Sequence, residues 1–174
     1  MKSTEDNLLE KHFPGALVPG TLVPFMHKGE WAIHQVLPIL LSRTGPAHVS
    51  IATFNVSEES LRTLFFMSQE RQLLSLRLLL DMNVRRHKLP LLLFAGGITP
   101  TVRLDSCHAK VCLVRSASHS FGIVGSANLN WNHRWESGFY FTEGDCFDYF
   151  EKKFNLAFGQ ALEYGIYEGD TGED

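Results

Sequence analysis

A chain of 174 residues with 44% hydrophobic and 20% charged side chains has the composition of a soluble globular protein, and is long enough to bury one core without disulfides or metals. The net charge is −3, and four carboxylates (Glu168, Asp170, Glu173, Asp174) fall in the last seven residues; without them the balance is +1, so charge neither selects nor excludes a phosphate-bearing polymer as partner. Three cysteines (Cys107, Cys112, Cys146) without a CxxC pair, an acidic rather than basic start, and no apolar run near about 18–20 residues lead to the expectation of a soluble cytoplasmic protein with no stable membrane association.

Residues 1–18 are polar and punctuated by Pro14-Gly15 and Pro19-Gly20, which predicts a lead-in segment on the surface. Ile33, Val36, Leu37, Leu40 and Leu41 recur at the spacing of one helix face, with Pro38 expected to kink the helix. AHVSIATFNVS has the β-branched and aromatic content of a strand, and Ser57 followed by Glu58 and Glu59 reads as the cap and first turn of a helix. LLSLRLLLDMN alternates as a strand with a covered face. Residues 84–88 are a short basic patch, and PLLLFAGGI is too short to assign from pattern.

SCHAKVCLVRSASHSFGIVGSANLNWNHRWE occupies positions 106–136 and looks like a pair of buried strands carrying polar residues where apolar ones are expected. If 102–114 is extended, His108 and Lys110 project side by side from the mostly apolar row that includes Val102, Leu104, Cys112 and Val114. The same alternation places Ser126 and Asn128 together, with Gly125 admitting a close backbone or ligand. An imidazole and an ammonium in a sheet cost several kcal/mol unless paired or facing a polar pocket. GFYFTEG then reads as a short strand, and the segment from Asp145 as a closing amphipathic helix capped by that residue. Strands interleaved with helices predict an α/β fold, a mixed β-sheet flanked by helices on both faces. The expected organisation is a lead-in at 1–18, a single catalytic domain at 19–167 and an acidic tail at 168–174.

The set His108, Lys110, Gly125, Ser126, Asn128 and Glu136 resembles the signature of the phospholipase D superfamily: H-x-K, four residues, Asp, then G-S-x-N and a following Glu. The Asp position holds Arg115 instead, and the gap to GSAN is longer than the commonest spacing. The resemblance implies a phospholipase D-like α/β/α sandwich and phosphodiester chemistry that uses no cofactor and no metal. One His108 would attack phosphorus to give a phosphohistidine, and a second His108 would protonate the leaving oxygen. Lys110 and Asn128 would hold the phosphate oxygens, Ser126 would donate a supporting hydrogen bond, and Glu136 would accept the other ring N–H of the nucleophile. The chain holds one copy of the motif, so the scheme implies a homodimer in which an isologous contact supplies the second His108 and Lys110.

Single-motif chains of this size resemble the family's small bacterial nucleases more than its two-motif lipases, which implies nucleic acid as substrate. The alternatives are a phospholipid hydrolase or transphosphatidylase, needing an apolar rim around the groove, and a catalytically silent nucleic-acid-binding module. Trp131, His133, Arg134 and Trp135 combine rings with basic groups, suiting contact with bases and phosphates, although the tryptophans also suit a core or a subunit interface. Arg85, Arg86 and Lys88 could extend a phosphate track or form a solvated loop. Cys107, His108 and Cys112 are close in sequence, but neighbours in a strand point to opposite faces, which disfavours a zinc site. Ser126 lacks the Gly-x-Ser-x-Gly elbow of an acyl-transfer nucleophile, and Gly96-Gly97 fits no phosphate loop.

Overall fold

The computed structural model describes residues 4–164, and the acidic tail expected at 168–174 lies outside them. The elements run in the order α1 (Thr4–His12), β1 (Leu22–Lys28), α2 (Ile33–Thr44), β2 (Ala47–Thr53), α3 (Glu58–Gln69), β3 (Leu73–Asp81), α4 (Met82–His87), α5 (Leu89–Ile98), β4 (Val102–Asp105), β5 (Val111–Ser116), β6 (Ser120–Gly125), β7 (Trp135–Thr142), α6 (Asp145–Gln160) and β8 (Leu162–Glu163). Among the described residues the strands make one eight-stranded sheet, ordered β1-β7-β6-β5-β2-β3-β4-β8. β2, β3 and β4 are parallel and joined by helical crossovers, whereas β5, β6 and β7 form an antiparallel meander that β1 closes.

Helices cover both faces of this mixed sheet, as the alternation of elements predicts. On one side Val36, Leu37 and Leu40 of α2 and Leu61 and Leu64 of α3 pack on Ile51, Leu78, Leu80 and Val114. On the other, Phe147, Phe154 and Phe158 of α6 pack on Ala52, Leu79, Leu113 and Phe141. Two covered faces explain why Leu78, Leu79 and Leu80 of β3, and Ile51 and Ala52 of β2, are buried in succession. Each fully buried leucine contributes about 1.5–3 kcal/mol of transfer free energy, so the apolar face of α2 decides where that helix sits.

Ser57 caps α3 as its sequence predicts, accepting from the Ser60 N–H at 3.2 Å. Asp145 is not the cap of α6. Gly144 holds that position at φ +131°, a conformation side chains rarely adopt, and Asp145 becomes the first helical residue. The lead-in segment is not confined to the surface either: it forms α1, and Leu9 and Phe13 enter the core. The basic patch at 84–88 lies in and just after α4, and the unassigned apolar run is α5, with Pro90 in its first turn.

One departure positions the site. Residues 102–114 are not one strand but β4 and β5, which β3 and β2 separate in the sheet. Residues 106–110 therefore cross the ends of two strands, about 14 Å at the usual strand spacing. From Asp105 to Val111 the chain can reach about 20 Å, so the crossing has little slack.

Candidate active site

β2, β3 and β6 end, and β5 and β7 begin, at one edge of the sheet. The crossing segment is fastened there by Asp81, the last residue of β3. Its Oδ2 accepts from the Cys107 N–H at 2.8 Å, while Oδ1 accepts from Asn83 N–H at 2.8 Å and caps α4. His108 follows at the exposed crest, its ring 5.0 Å from that of Phe54. Lys110 is buried; Nζ donates to the His108 carbonyl at 2.7 Å and lies 3.2 Å from Nδ1 and 3.3 Å from Nε2 of the same histidine. His108 and Lys110 thus meet by folding over each other in a connection, not by projecting from a strand face.

The second half of the motif is bound to the first through the backbone. Gly125 N–H donates to the Lys110 carbonyl at 3.2 Å, and Ser126 N–H to the Ser137 carbonyl at 2.9 Å. Gly125 pairs with Gly138 across β6 and β7, and a Cβ on Gly125 would stand 2.4 Å from the Ser137 oxygen. The close approach expected at Gly125 is therefore to another strand. Leu129, buried in the core, fixes the segment beyond: its N–H reaches Thr53 Oγ1 at 3.1 Å, and its carbonyl accepts from Ser57 N–H and Ser60 Oγ. Asn128 is thereby held at the end of β2.

Glu136 is buried near the start of β7. One carboxylate oxygen accepts from Ser126 Oγ and the other from Asn132 Nδ2 at 3.0 Å. Within one chain Glu136 is not hydrogen-bonded to His108, and its two oxygens are taken up by Ser126 and Asn132. The register partner of Glu136 on β1 is His27, almost fully buried, whose Nε2 has no hydrogen-bond partner. Burial holds the His27 imidazole below its ordinary value, opposed by the charges of Glu30 and Glu136.

His108, Lys110, Ser126, Asn128 and Glu136 line one cleft of about 400 Å³ together with Asn55, Asn130, Asn132, Arg134 and Trp135. The side-chain oxygens of Asn128 and Asn130 are buried there without partners. An amide turned over about its last bond would instead aim its N–H₂ into the cleft, the group an anionic oxygen needs. Lys110 and Arg134 supply the cations. The arrangement suits an anion with several oxygens, since donors approach from three separate segments of chain.

Of the flanking candidates, Arg134 and Trp135 reach the cleft and Trp131 and His133 do not. Trp131 donates to the Gly29 carbonyl at 3.1 Å and packs edge-on against His133. Both Trp131 and Trp135 are exposed rather than in the core. Lys88 donates to Asn55 Oδ1 at 2.6 Å and so positions a cleft residue, whereas Arg85 and Arg86 face solvent on α4. Cys107 packs on the α6 side of the sheet and Cys112 on the opposite side, where burial pushes its thiol up to about 12. The sheet keeps the two sulfurs apart, and no metal-binding cluster of three such residues occurs among the described residues. No described helix is long and apolar enough to cross a membrane.

Sequence reasoning missed Asn55, Asn130, Asn132, Thr53 and Asp81. Three asparagines at alternate positions, 128, 130 and 132, were the available signal for the cleft amides, and Asn55 lies far upstream of them.

No protein-family model and no curated protein sequence matches the chain. Solved structures do. Nuc from Salmonella typhimurium, a phospholipase D family member, superposes with a TM-score of 0.60 at 14% identity, over 83% of this chain and 99% of its own. NucT from Helicobacter pylori gives 0.59 at 11% identity, over 83% and 100%. This chain has the phospholipase D fold. TrmBL2, described as an archaeal chromatin protein with a novel mode of DNA binding, matches with a TM-score of 0.50 at 14% identity, over 92% of this chain and 61% of its own. Within the phospholipase D fold the cleft occupies the strand-end edge of the sheet, where the crossing segment and the GSAN turn meet.

Proposed function

We propose that the chain is a metal-independent phosphodiesterase acting on nucleic acid, a nuclease, working through a phosphohistidine at the interface of a homodimer. The observation that supports this reading is the convergence of His108, Lys110, Ser126, Asn128 and Glu136 on one polar cleft, in a fold shared with Nuc and NucT. A neutral imidazole nitrogen of one His108 attacks phosphorus; the P–N bond forms as the P–O bond to the leaving group breaks. The second His108, protonated, gives its proton to the departing oxygen. It then takes a proton from water, whose oxygen displaces the histidine from phosphorus. Lys110, within 3.3 Å of the ring, and Asn128 place positive charge and donors at the nonbridging oxygens. Glu136 holds Ser126 and Asn132 at the wall of the cleft.

The second histidine comes from a second copy of the chain. Beside the cleft, on the face of β1 and β7 beyond α6, Met26, Leu22, Phe139 and Trp135 are all at least half exposed. Side chains of alternate residues on paired strands put these four on one face, with Ser137 and Lys28 among them, the kind of surface an isologous contact buries.

The test is cleavage of labelled single- and double-stranded DNA and RNA in excess EDTA, with His108→Ala in parallel. Cleavage that persists in EDTA and is lost in the variant is expected. Loss on chelation overturns the metal-free mechanism, and cleavage by the variant overturns the role of His108. The likeness to TrmBL2 favours a second reading, a DNA-binding module without catalysis. It predicts DNA binding by wild type and His108→Ala alike, with no cleavage by either.

A further inference from the structure

Two hollows, not one, adjoin His108. The polar cleft lies on one side, and on the other is a groove of about 420 Å³ between α6 and the segment Asp105–Ala109. We propose that this groove receives the nucleobase of the nucleotide adjoining the scissile phosphate, an assignment that rests on the nuclease reading above.

The groove exists because small residues stand where the packing needs larger ones to fill it. Ala52 of β2 forms part of the floor and Ala157 of α6 part of one end. The wall is a turn and a half of α6 in which Tyr149, Phe150, Lys153 and Phe154 fall at helical neighbours i, i+1, i+4 and i+5. Phe150 and Phe154 are anchored by stacking on Phe141 and Phe158. Tyr149 meets the edge of Phe150 and has the Lys153 ammonium 5.7 Å from its ring centre, yet it stays 57% exposed at the lip of a hollow that touches His108.

The distribution of polarity selects the occupant. The interior is apolar and aromatic, while Asp105, Ser106 and Lys153 supply donors and acceptors at the margin. A nucleobase has that same distribution, apolar faces and a polar edge, and aromatic side chains bind it by stacking without regard to sequence. The volume lies within the range of small-molecule sites and suits one ring system rather than a polymer track. With phosphorus at His108, the phosphate oxygens would turn to the amides and Lys110 of the polar cleft, and one ester substituent would enter the groove.

The experiment compares kcat/KM for thymidine 5′-(p-nitrophenyl phosphate) and for methyl p-nitrophenyl phosphate in the wild type, Tyr149→Ala and Ala157→Phe. Tyr149 is exposed and its removal costs little packing; Ala157→Phe fills the groove by a different route. The ratio of nucleotide to methyl substrate is expected to fall about tenfold in both variants. An unchanged ratio in a wild type that cleaves both substrates overturns the groove assignment and leaves the nuclease reading standing. A wild type that hydrolyses the methyl diester but not the nucleotide ester overturns the groove assignment, and one that cleaves neither diester nor labelled nucleic acid removes the nuclease reading and the base subsite with it.

Discussion

Arg115 lies against Glu151 of α6, donating from Nε and Nη2 to the two carboxylate oxygens at 3.1 and 2.7 Å, with its guanidinium over the Phe147 ring. This arginine stands where the phospholipase D signature has an aspartate. It is five residues along β5 from Lys110, about 17 Å away, on the side of the sheet that α6 covers. The departure from the signature therefore does not reach the cleft. Arg115→Asp would set a carboxylate against Glu151 and Asp148 in place of an ion pair. Because the pair is partly exposed, the cost is about 1 kcal/mol, a fall of about 2–4 °C in Tm, with kcat within about twofold of wild type. Thermal melts and nuclease rates check both halves, and a large gain in kcat would show that the position does act on the cleft.

Glu136 accepts two hydrogen bonds in a buried setting, so Glu136→Gln cannot satisfy both donors. Its N–H₂ faces either the Asn132 amide, donor against donor, or the Ser126 hydroxyl, whose proton then loses its acceptor. The expected result is a loss of about 100-fold in kcat, and about tenfold for Asn132→Ala, measured on protein with unaltered circular dichroism. Equal and near-native rates for both variants would remove the wall they form from the chemistry.

Burial holds His12, His27 and His34 below the ordinary histidine value, with Glu30 opposing at the first two and Glu59 at the third. A folded value below the unfolded one means that the unfolded chain takes up protons first as pH falls. Stability from these groups is therefore complete above about pH 6.5 and is lost as pH drops through the folded values. The Tm is expected to be level from about pH 7 to 8 and to decline below about pH 6.5. His34→Leu should flatten that decline, since His34 is 98% buried side chain removed from titration; an unchanged slope would mean that other groups set it.

Gly138 faces Gly125 across the last pair of β6 and β7, and a Cβ on Gly138 would stand 2.2 Å from the Val124 oxygen. Gly138→Ala must push apart the strands that deliver Ser126 and Glu136. It should destabilise by about 1–3 kcal/mol and lower kcat with it, readable in urea unfolding and in single-turnover rates.

The apolar face of α2, the Ser57 cap and the strands β2 and β3 were all legible in the sequence, because each depends on residues a few positions apart. The cleft residues were legible as a set, through their resemblance to a known signature, although the local geometry assigned to them was wrong. Alternation carried through 106–110 treated as strand what is a transverse crossing, and nothing local marks it, since the separation of β4 from β5 is a property of sheet order. Asp81 and Thr53 escaped notice for the same reason: their bonds to Cys107 and Leu129 span 26 and 76 positions. α5 gave no pattern because its residues are apolar on nearly every side, and α1 was hidden by a polar sequence in which few residues reach the core.

The proposed mechanism needs His108 from two copies of the chain in one site. Wild type and His108→Ala, mixed in known proportion, unfolded together and refolded so that subunits exchange, give dimers in random combination. If a mixed dimer is dead, activity follows the square of the wild-type fraction, and an equimolar mixture retains about a quarter of the activity. Activity that falls in direct proportion, leaving about one half, would contradict the account, because each chain would then carry a complete site of its own.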